Sequence, residues 1–109
     1  MTELHLHLLR ALEANPRLTQ RELARELGIS LGRTNYALRA LMDKGWVKAQ
    51  KFGRSDHKRG YLYRLTPRGL AEKARLALRF LHQKQVEHNV LWREIQALRA
   101  EVEEADRDT

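Results

Sequence analysis

The stretch from Thr19 to Gly45 constrains the fold more than any other, because it contains start and stop signals for two consecutive helices. Thr19 and Glu22 form the T-x-x-E pattern of a capping box, in which each side chain accepts a hydrogen bond from the other residue's backbone N–H. Gly28 offers the left-handed conformation that ends the first helix, Ser30 caps the second helix, and Gly45 ends it. The sequence therefore predicts a helix, a tight turn and a second helix.

The second of these helices has one apolar side and one polar side. The residues at the spacing of a buried helical face are Leu31, Thr34, Leu38, Leu41 and Met42. The other faces carry Gly32, Arg33, Asn35, Tyr36 and Arg39. Arginine pairs with guanine edges, asparagine pairs with adenine edges, and glycine permits close approach, so these five residues are a candidate reader of the DNA major groove. An ordinary solvated helix face has the same composition, and this motif alone does not separate the two interpretations.

A predicted β-hairpin follows the two helices directly. Residues 46–51 and 61–65 have the composition of strands, and the turn-rich segment FGRSDHKRG connects them. A helix, a turn, a helix and a hairpin in this order are typical of a winged helix-turn-helix, which places its second helix in a DNA groove. The hairpin tip carries cations that we expect to contact phosphates or enter the minor groove, namely Arg54, His57, Lys58 and Arg59. We expect Trp46, Tyr61 and Tyr63 to pack the hairpin on the helices rather than to stack on bases.

Two further helices are predicted outside this region. The first runs from about Glu3 to Ala14 and stops before Pro16, since the residue before a proline avoids the helical conformation. Its expected buried face is Leu4, Leu8, Ala11 and Leu12. The last helix begins at the Thr66 cap with Pro67 at its first position, and no glycine or proline follows Gly69, so it could run to about Glu104.

Apolar positions along the last helix alternate steps of three and four, which is typical of a coiled-coil seam. The seam comprises Ala74, Ala77, Leu81, Lys84, His88, Leu91, Ile95, Leu98 and Val102. We expect a second copy of the chain to cover the part of the seam from Leu81 onward. The alternative is a break at Gln83–Asn89 that folds the helix back onto its own domain. With His88 in a dimer interface, its protonation in mildly acidic solution would weaken pairing.

These patterns together predict a mainly α fold with a small β-hairpin wing. Residues 1–69 would form a winged helix-turn-helix domain, residues 70–104 a coiled-coil-like dimerisation helix, and residues 105–109 a frayed tail. Positive charge is concentrated in the first part of the chain. The net charge is +8 over residues 1–68 and −1 over residues 69–109, which favours a polyanionic partner for the predicted winged helix.

Several functional classes are disfavoured by the composition. Cysteine is absent, which excludes disulfides, thiolate catalysis and cysteine-based zinc sites. The five histidines lack metal-ligand spacing, and no P-loop, G-x-S-x-G or G-x-G-x-x-G motif occurs, so we expect no enzyme, metal or cofactor. No apolar run reaches the length of a membrane span, and the N-terminus does not resemble a signal peptide. A cytoplasmic protein without membrane association is therefore expected.

Two runs of the sequence resemble the MarR-type winged-helix regulators, NPRLTQRELARELGISLGRTNYALRALMDKGWVKAQKF and YLYRLTPRGLAEKARLALRFL. They are most similar to a small branch of that family associated with exopolysaccharide (EPS) biosynthesis genes in bacteria. The resemblance implies a dimeric, sequence-specific DNA-binding transcription regulator whose third helix reads the major groove and whose wing contacts backbone or minor groove. Larger members of the family often bind a small effector and use extra terminal helices. This chain has only its long last helix and no composition typical of a ligand pocket, so no effector is implied.

The leading interpretation is a homodimeric regulator on an inverted-repeat site in double-stranded DNA. Its two recognition helices would enter successive major grooves about 34–36 Å apart. Repression by occlusion of the polymerase is the expected outcome, and activation is equally compatible with these residues. One alternative is a protein-interaction module whose long helix docks a partner, which would not require the strongly positive N-terminal part. Another is an RNA-binding winged helix, for which the sequence offers no evident aromatic platform.

Overall fold

The computed structural model describes residues 2–52 and 60–108 of the chain. The elements in order are α1 (Glu3–Ala14), α2 (Gln20–Leu27), α3 (Leu31–Asp43), β1 (Val47–Phe52), β2 (Gly60–Leu65) and α4 (Pro67–Arg107). This order confirms the predicted fold class, a mainly helical chain with a hairpin wing and a long C-terminal helix. No helix in the described ranges combines the length and the apolar character needed to cross a membrane.

The capping signals of α2 and α3 form as predicted. Thr19 Oγ1 accepts a hydrogen bond from the Glu22 backbone N–H, and a Glu22 carboxylate oxygen accepts one from the Thr19 backbone N–H, each over 3.1 Å. The backbone N–H donated by Thr19 stabilises the charged carboxylate and lowers the pKa of Glu22. Gly28 adopts the left-handed conformation at φ 68°, and Ser30 Oγ accepts from the Arg33 backbone N–H over 3.1 Å. Both ends of the turn before α3 are therefore fixed by local hydrogen bonds.

The core lies where α1 packs against α2, α3 and β2. Its buried apolar residues are Leu6, Leu8, Leu9, Leu12, Leu23, Ala24, Ala37, Leu38, Leu41, Trp46, Val47, Tyr63 and Leu76. The predicted face of α1 was too narrow, because a helix with neighbours on several sides buries a wider arc than one stripe and here includes Leu6 and Leu9. The prediction was wrong for Leu31, which is 40% exposed at the first position of α3.

The wing is an antiparallel hairpin whose register runs from the Val47–Leu65 pair to the Phe52–Gly60 pair. Trp46 and Tyr63 are buried, as predicted, and pack the hairpin against the helices. Tyr61 contradicts that prediction, because it is 47% exposed. It shares a strand face with Tyr63 but lies nearer the Phe52–Gly60 end of the hairpin, and its ring stacks on Tyr63 with the centroids 6.1 Å apart.

The first turn of α4 is joined closely to the start of the wing. Thr66 Oγ1 donates to the Gly45 carbonyl over 2.6 Å and accepts from the Gly69 backbone N–H over 3.0 Å. A Cβ atom placed on Gly69 would lie 2.0 Å from the Trp46 carbonyl oxygen. Only glycine allows this approach, which holds the first turn of α4 against the start of the wing.

The chain divides into two compact units, Met1–Ala77 and Leu78–Thr109. The first unit contains the winged helix and residues 67–77 of α4. The second unit consists of the remainder of α4, which continues without interruption and ends at Arg107, three residues beyond the predicted end. The alternative break at Gln83–Asn89 is therefore wrong. Large apolar side chains stay exposed along this second unit, namely Leu78, Leu81, Val86, Val90, Leu91, Trp92, Leu98 and Val102.

Candidate nucleic-acid interface

The outer face of α3 is exposed and carries two arginines and a tyrosine. Gly32, Arg33, Tyr36 and Arg39 are all exposed and follow the helical repeat, and Tyr36 reaches 80% exposure. The opposite face of the same helix is buried through Thr34, Ala37, Leu38 and Leu41. The structure therefore brings four of the five predicted base-reading residues onto an accessible surface of a firmly packed helix.

The two arginines on this surface are available for an anionic partner. Arg33 lies in the first turn of α3, and its backbone N–H is held by Ser30. Within residues 2–52 and 60–108, no ion pair engages the guanidinium of Arg33 or that of Arg39. Because a guanidinium presents several donors in one plane, each arginine can bind a guanine edge or a phosphate through two hydrogen bonds.

Asn35, the fifth predicted reader, has a different environment. It is half-buried, and its side-chain amide donates to Gln20 Oε1 over 3.0 Å. Gln20 in turn donates through Nε2 to the Tyr63 hydroxyl over 3.2 Å. This chain of hydrogen bonds joins α3, α2 and β2, so one donor of Asn35 is already used inside the domain. An amide nitrogen carries two N–H groups, and the second remains for a base.

The wing strands add cations that the sequence patterns did not single out. Lys48 and Arg64 are exposed and stand directly opposite each other in the hairpin. Like charges in directly opposed strand positions are unfavourable unless an anion neutralises them. Lys51, also on β1, is the third exposed cation of this group. The predicted tip residues Arg54, His57, Lys58 and Arg59 lie outside the described residues.

The described residues do not form a metal centre. No group of three or more histidine or acidic side chains is placed to hold an ion within the described ranges. His5 instead serves the N-terminal cap of α1, where its Nδ1 lies 2.7 Å from Thr2 Oγ1 and accepts the Thr2 backbone N–H over 3.2 Å. Partial burial lowers the pKa of His5, and the charge of Lys44 lowers it further.

Comparison with known proteins agrees with this geometry. Residues 1–48 match the family model described as winged helix-turn-helix DNA-binding. The domain is a winged helix-turn-helix. The comparison with curated proteins gave no match.

Several similar solved structures are described as transcription regulators or as MarR family proteins. The transcriptional regulator PcaV from Streptomyces coelicolor is 26% identical with a TM-score of 0.66, over 90% of this chain and 74% of PcaV, and that structure holds its natural ligand. A MarR family protein of Mycobacterium tuberculosis in complex with salicylic acid is 31% identical with a TM-score of 0.55, over 69% of this chain. FabT of Streptococcus pneumoniae in complex with DNA is 26% identical with a TM-score of 0.58, over 83% of this chain. The match spans only 54% of the mycobacterial protein and 60% of FabT.

Proposed function

We propose that this protein is a sequence-specific DNA-binding transcription regulator of the MarR type, with α3 as its reading helix. The observation that carries the proposal is the exposed surface of Gly32, Arg33, Tyr36 and Arg39 on a helix whose other side is buried. The winged helix-turn-helix match and the similarity to FabT, which was solved with DNA, support this use of the surface. The protein is not an enzyme in this proposal.

Each part of the domain has a distinct role in DNA binding. Arg33 and Arg39 bind base edges or phosphates, while Gly32 lets the backbone of α3 approach the groove. Asn35, oriented by Gln20, adds a donor and an acceptor for one base. Lys48 and Arg64 add two exposed cations on the wing that can attract phosphates. At the wing tip, phosphates or the minor groove would be contacted by Arg54, His57, Lys58 and Arg59.

The protein acts as a homodimer on an inverted-repeat site. Two copies of α3 then enter successive major grooves about 34–36 Å apart, which doubles the number of bases read. The dimer contact lies along α4, where the exposed apolar side chains need a cover. The proposed interface comprises Leu81, Lys84, His88, Leu91, Ile95, Leu98 and Val102.

The regulatory outcome we propose is repression of exopolysaccharide genes in the cytoplasm. A dimer bound within a promoter would occlude the polymerase, and the resemblance of the sequence to the EPS-associated branch suggests the genes. The absence of an effector stays a prediction, because PcaV was solved with its natural ligand and the mycobacterial relative with salicylic acid. Titration of the DNA complex with small aromatic acids such as salicylate tests that prediction.

A competition gel shift tests the proposed function. The protein is titrated with the DNA upstream of its own gene, with random DNA of equal length and with structured RNA, all at physiological salt. Preferential binding of one upstream fragment over random DNA by at least about a thousandfold is expected of a specific regulator. Equal weak binding to all three nucleic acids would contradict sequence-specific recognition. Tighter binding to RNA would favour the RNA-binding alternative, and no binding to any would favour a protein-interaction module.

A further inference from the structure

We propose that residues 88–105 of α4 pair with a second copy of the chain as a parallel, two-stranded coiled coil. This inference rests on the homodimer of the proposed function and specifies its geometry.

The seam residues favour two parallel strands. With heptad positions lettered a to g, position a is occupied by His88, Ile95 and Val102, and position d by Leu91, Leu98 and Ala105. β-Branched residues at a combined with leucine at d favour parallel dimers. Leu91, Leu98 and Val102 are between 54% and 60% exposed, so nothing in residues 2–52 and 60–108 of the same chain covers them. A second identical seam supplies one.

The charges beside the seam distinguish the two orientations. Position g holds only acidic residues through the coil, namely Glu87, Glu94, Glu101 and Asp108. Antiparallel pairing places g against g and therefore sets carboxylates against carboxylates in every alignment. Parallel pairing places g against the e position five residues later in the partner.

In the parallel alignment, the contacts between positions g and e include an ion pair and a contact with an aromatic ring as well as one repulsive pair. Glu94 meets Arg99 of the partner subunit, and two-fold symmetry creates this ion pair twice. Glu87 meets Trp92 of the partner subunit, whose ring can pack on the aliphatic part of the glutamate. Only Glu101, close to the end of the helix, meets a like charge, from Asp106 of the partner subunit. The parallel orientation is therefore the one that the charge pattern supports.

Chain connectivity gives the same answer. The winged helix precedes this segment, so in a parallel coil both DNA-binding domains are attached at the same end. Two copies of α3 can then address one duplex, as an inverted-repeat site requires. In an antiparallel coil the two domains are attached at opposite ends of the paired segment.

Cysteine cross-linking tests the orientation without a background, because the chain contains no cysteine. Ala105→Cys places a thiol at the seam near the end of the coil, and Ala100→Cys places the same substitution at position f, away from the seam. Under a glutathione redox buffer, the parallel coil predicts a disulfide-linked dimer for Ala105→Cys and little for Ala100→Cys. A dimer by sedimentation that fails to cross-link through Ala105→Cys would overturn the parallel orientation, as would equal cross-linking of both variants.

Charge reversal provides a second test with opposite signs for the two orientations. In the parallel coil, Glu94→Arg faces Arg99 of the partner subunit and weakens dimerisation by about 2- to 10-fold, and the added Arg99→Glu restores it. In an antiparallel coil, Glu94→Arg faces carboxylates and tightens dimerisation. Glu104→Arg is the matched control, since position c lies outside the flanking rows, and no comparable change is expected. Dissociation constants from analytical ultracentrifugation give each value.

These measurements use no DNA, so their failure is distinguishable from failure of the proposed function. A protein that is monomeric at micromolar concentration would overturn the coiled coil, even if it binds DNA. A parallel dimer that binds no DNA would leave the coiled coil standing and contradict the proposed function.

Discussion

The side-chain amide of Asn35 donates a hydrogen bond to Gln20 Oε1 over 3.0 Å, and this contact joins the proposed reading helix to the helix before it. Gln20 is in turn held by the hydroxyl of the buried Tyr63 in the wing. The orientation of Asn35 on α3 is thus set by residues of α2 and β2. Arg33, by contrast, has an exposed side chain with no such partner in the described part of the chain.

This difference predicts separable effects of two alanine substitutions. Asn35→Ala breaks the contact with Gln20 and should reduce the free energy of unfolding by about 0.5–1.5 kcal/mol, together with DNA affinity. Arg33→Ala removes an exposed side chain and should leave the free energy of unfolding within about 0.5 kcal/mol of wild type. Urea unfolding followed by circular dichroism measures both variants. Equal stability of the two would show that the Asn35–Gln20 contact contributes nothing.

Gly69→Ala should destabilise the winged helix by about 1–3 kcal/mol, because the added Cβ meets the Trp46 carbonyl and overpacked sites cannot relax freely. Gly32→Ala is the matched control, since a Cβ there meets nothing within 4 Å and alanine favours a helix by up to about 1 kcal/mol. The melting temperature should therefore fall for Gly69→Ala and stay equal or rise for Gly32→Ala. If Gly32 also permits close approach to DNA, Gly32→Ala will bind DNA more weakly while melting no lower than wild type.

The cap of α1 predicts an acid-dependent loss of stability. His5 accepts the Thr2 backbone N–H through Nδ1, which requires the neutral ring, and its pKa in the folded protein is lowered. The unfolded chain therefore binds a proton more readily, so the contribution of His5 declines as pH falls from above about 6.5 through the lowered value. His5→Glu keeps an acceptor at the same capping position and should lose less stability between pH 7.5 and 5. Identical losses for variant and wild type would refute this role of His5.

The pairing of Lys48 with Arg64 predicts a conflict between stability and DNA binding. Arg64→Glu replaces two opposed cations by an ion pair across the strands and should raise the free energy of unfolding by about 0.2–1 kcal/mol. The same change removes a positive charge from the wing and should weaken binding to operator and random DNA alike. Unfolding curves and a salt titration of DNA binding measure the two effects. A variant that is less stable than wild type would contradict the unfavourable Lys48–Arg64 pairing.

Local signals in the sequence predicted the helices and their limits well. The Thr19–Glu22 capping box and the glycines at positions 28 and 45 act within a few residues, so their patterns can be read directly. The polar face of α3 was predicted for the same reason, since the helical repeat separates its buried and exposed sides. What the exposed face binds is not contained in that repeat and stays a proposal.

Contacts between distant parts of the chain were not predictable from local patterns. Gln20 is separated from Asn35 by 15 residues and from Tyr63 by 43 residues, and no spacing rule links them. Leu6 and Leu9 were missed because the burial of α1 depends on three neighbouring elements rather than on one. The burial of Tyr61 was predicted wrongly. The alternation along a strand shows which face a residue lies on, but it does not show how far the helices extend beneath that face.

If the exposed face of α3 reads DNA, Arg33→Ala will lose affinity for the best upstream fragment, which is measured beside its affinity for random DNA. Arg93→Ala, at an outer position of α4, is the control. Loss of one bidentate base contact should reduce the binding free energy of Arg33→Ala for the specific fragment by about 1–3 kcal/mol and relax its preference at one base pair. Arg93→Ala should bind both DNAs as the wild type does. A folded Arg33→Ala protein that binds both DNAs as tightly as wild type would contradict the assignment of α3 as the reading helix.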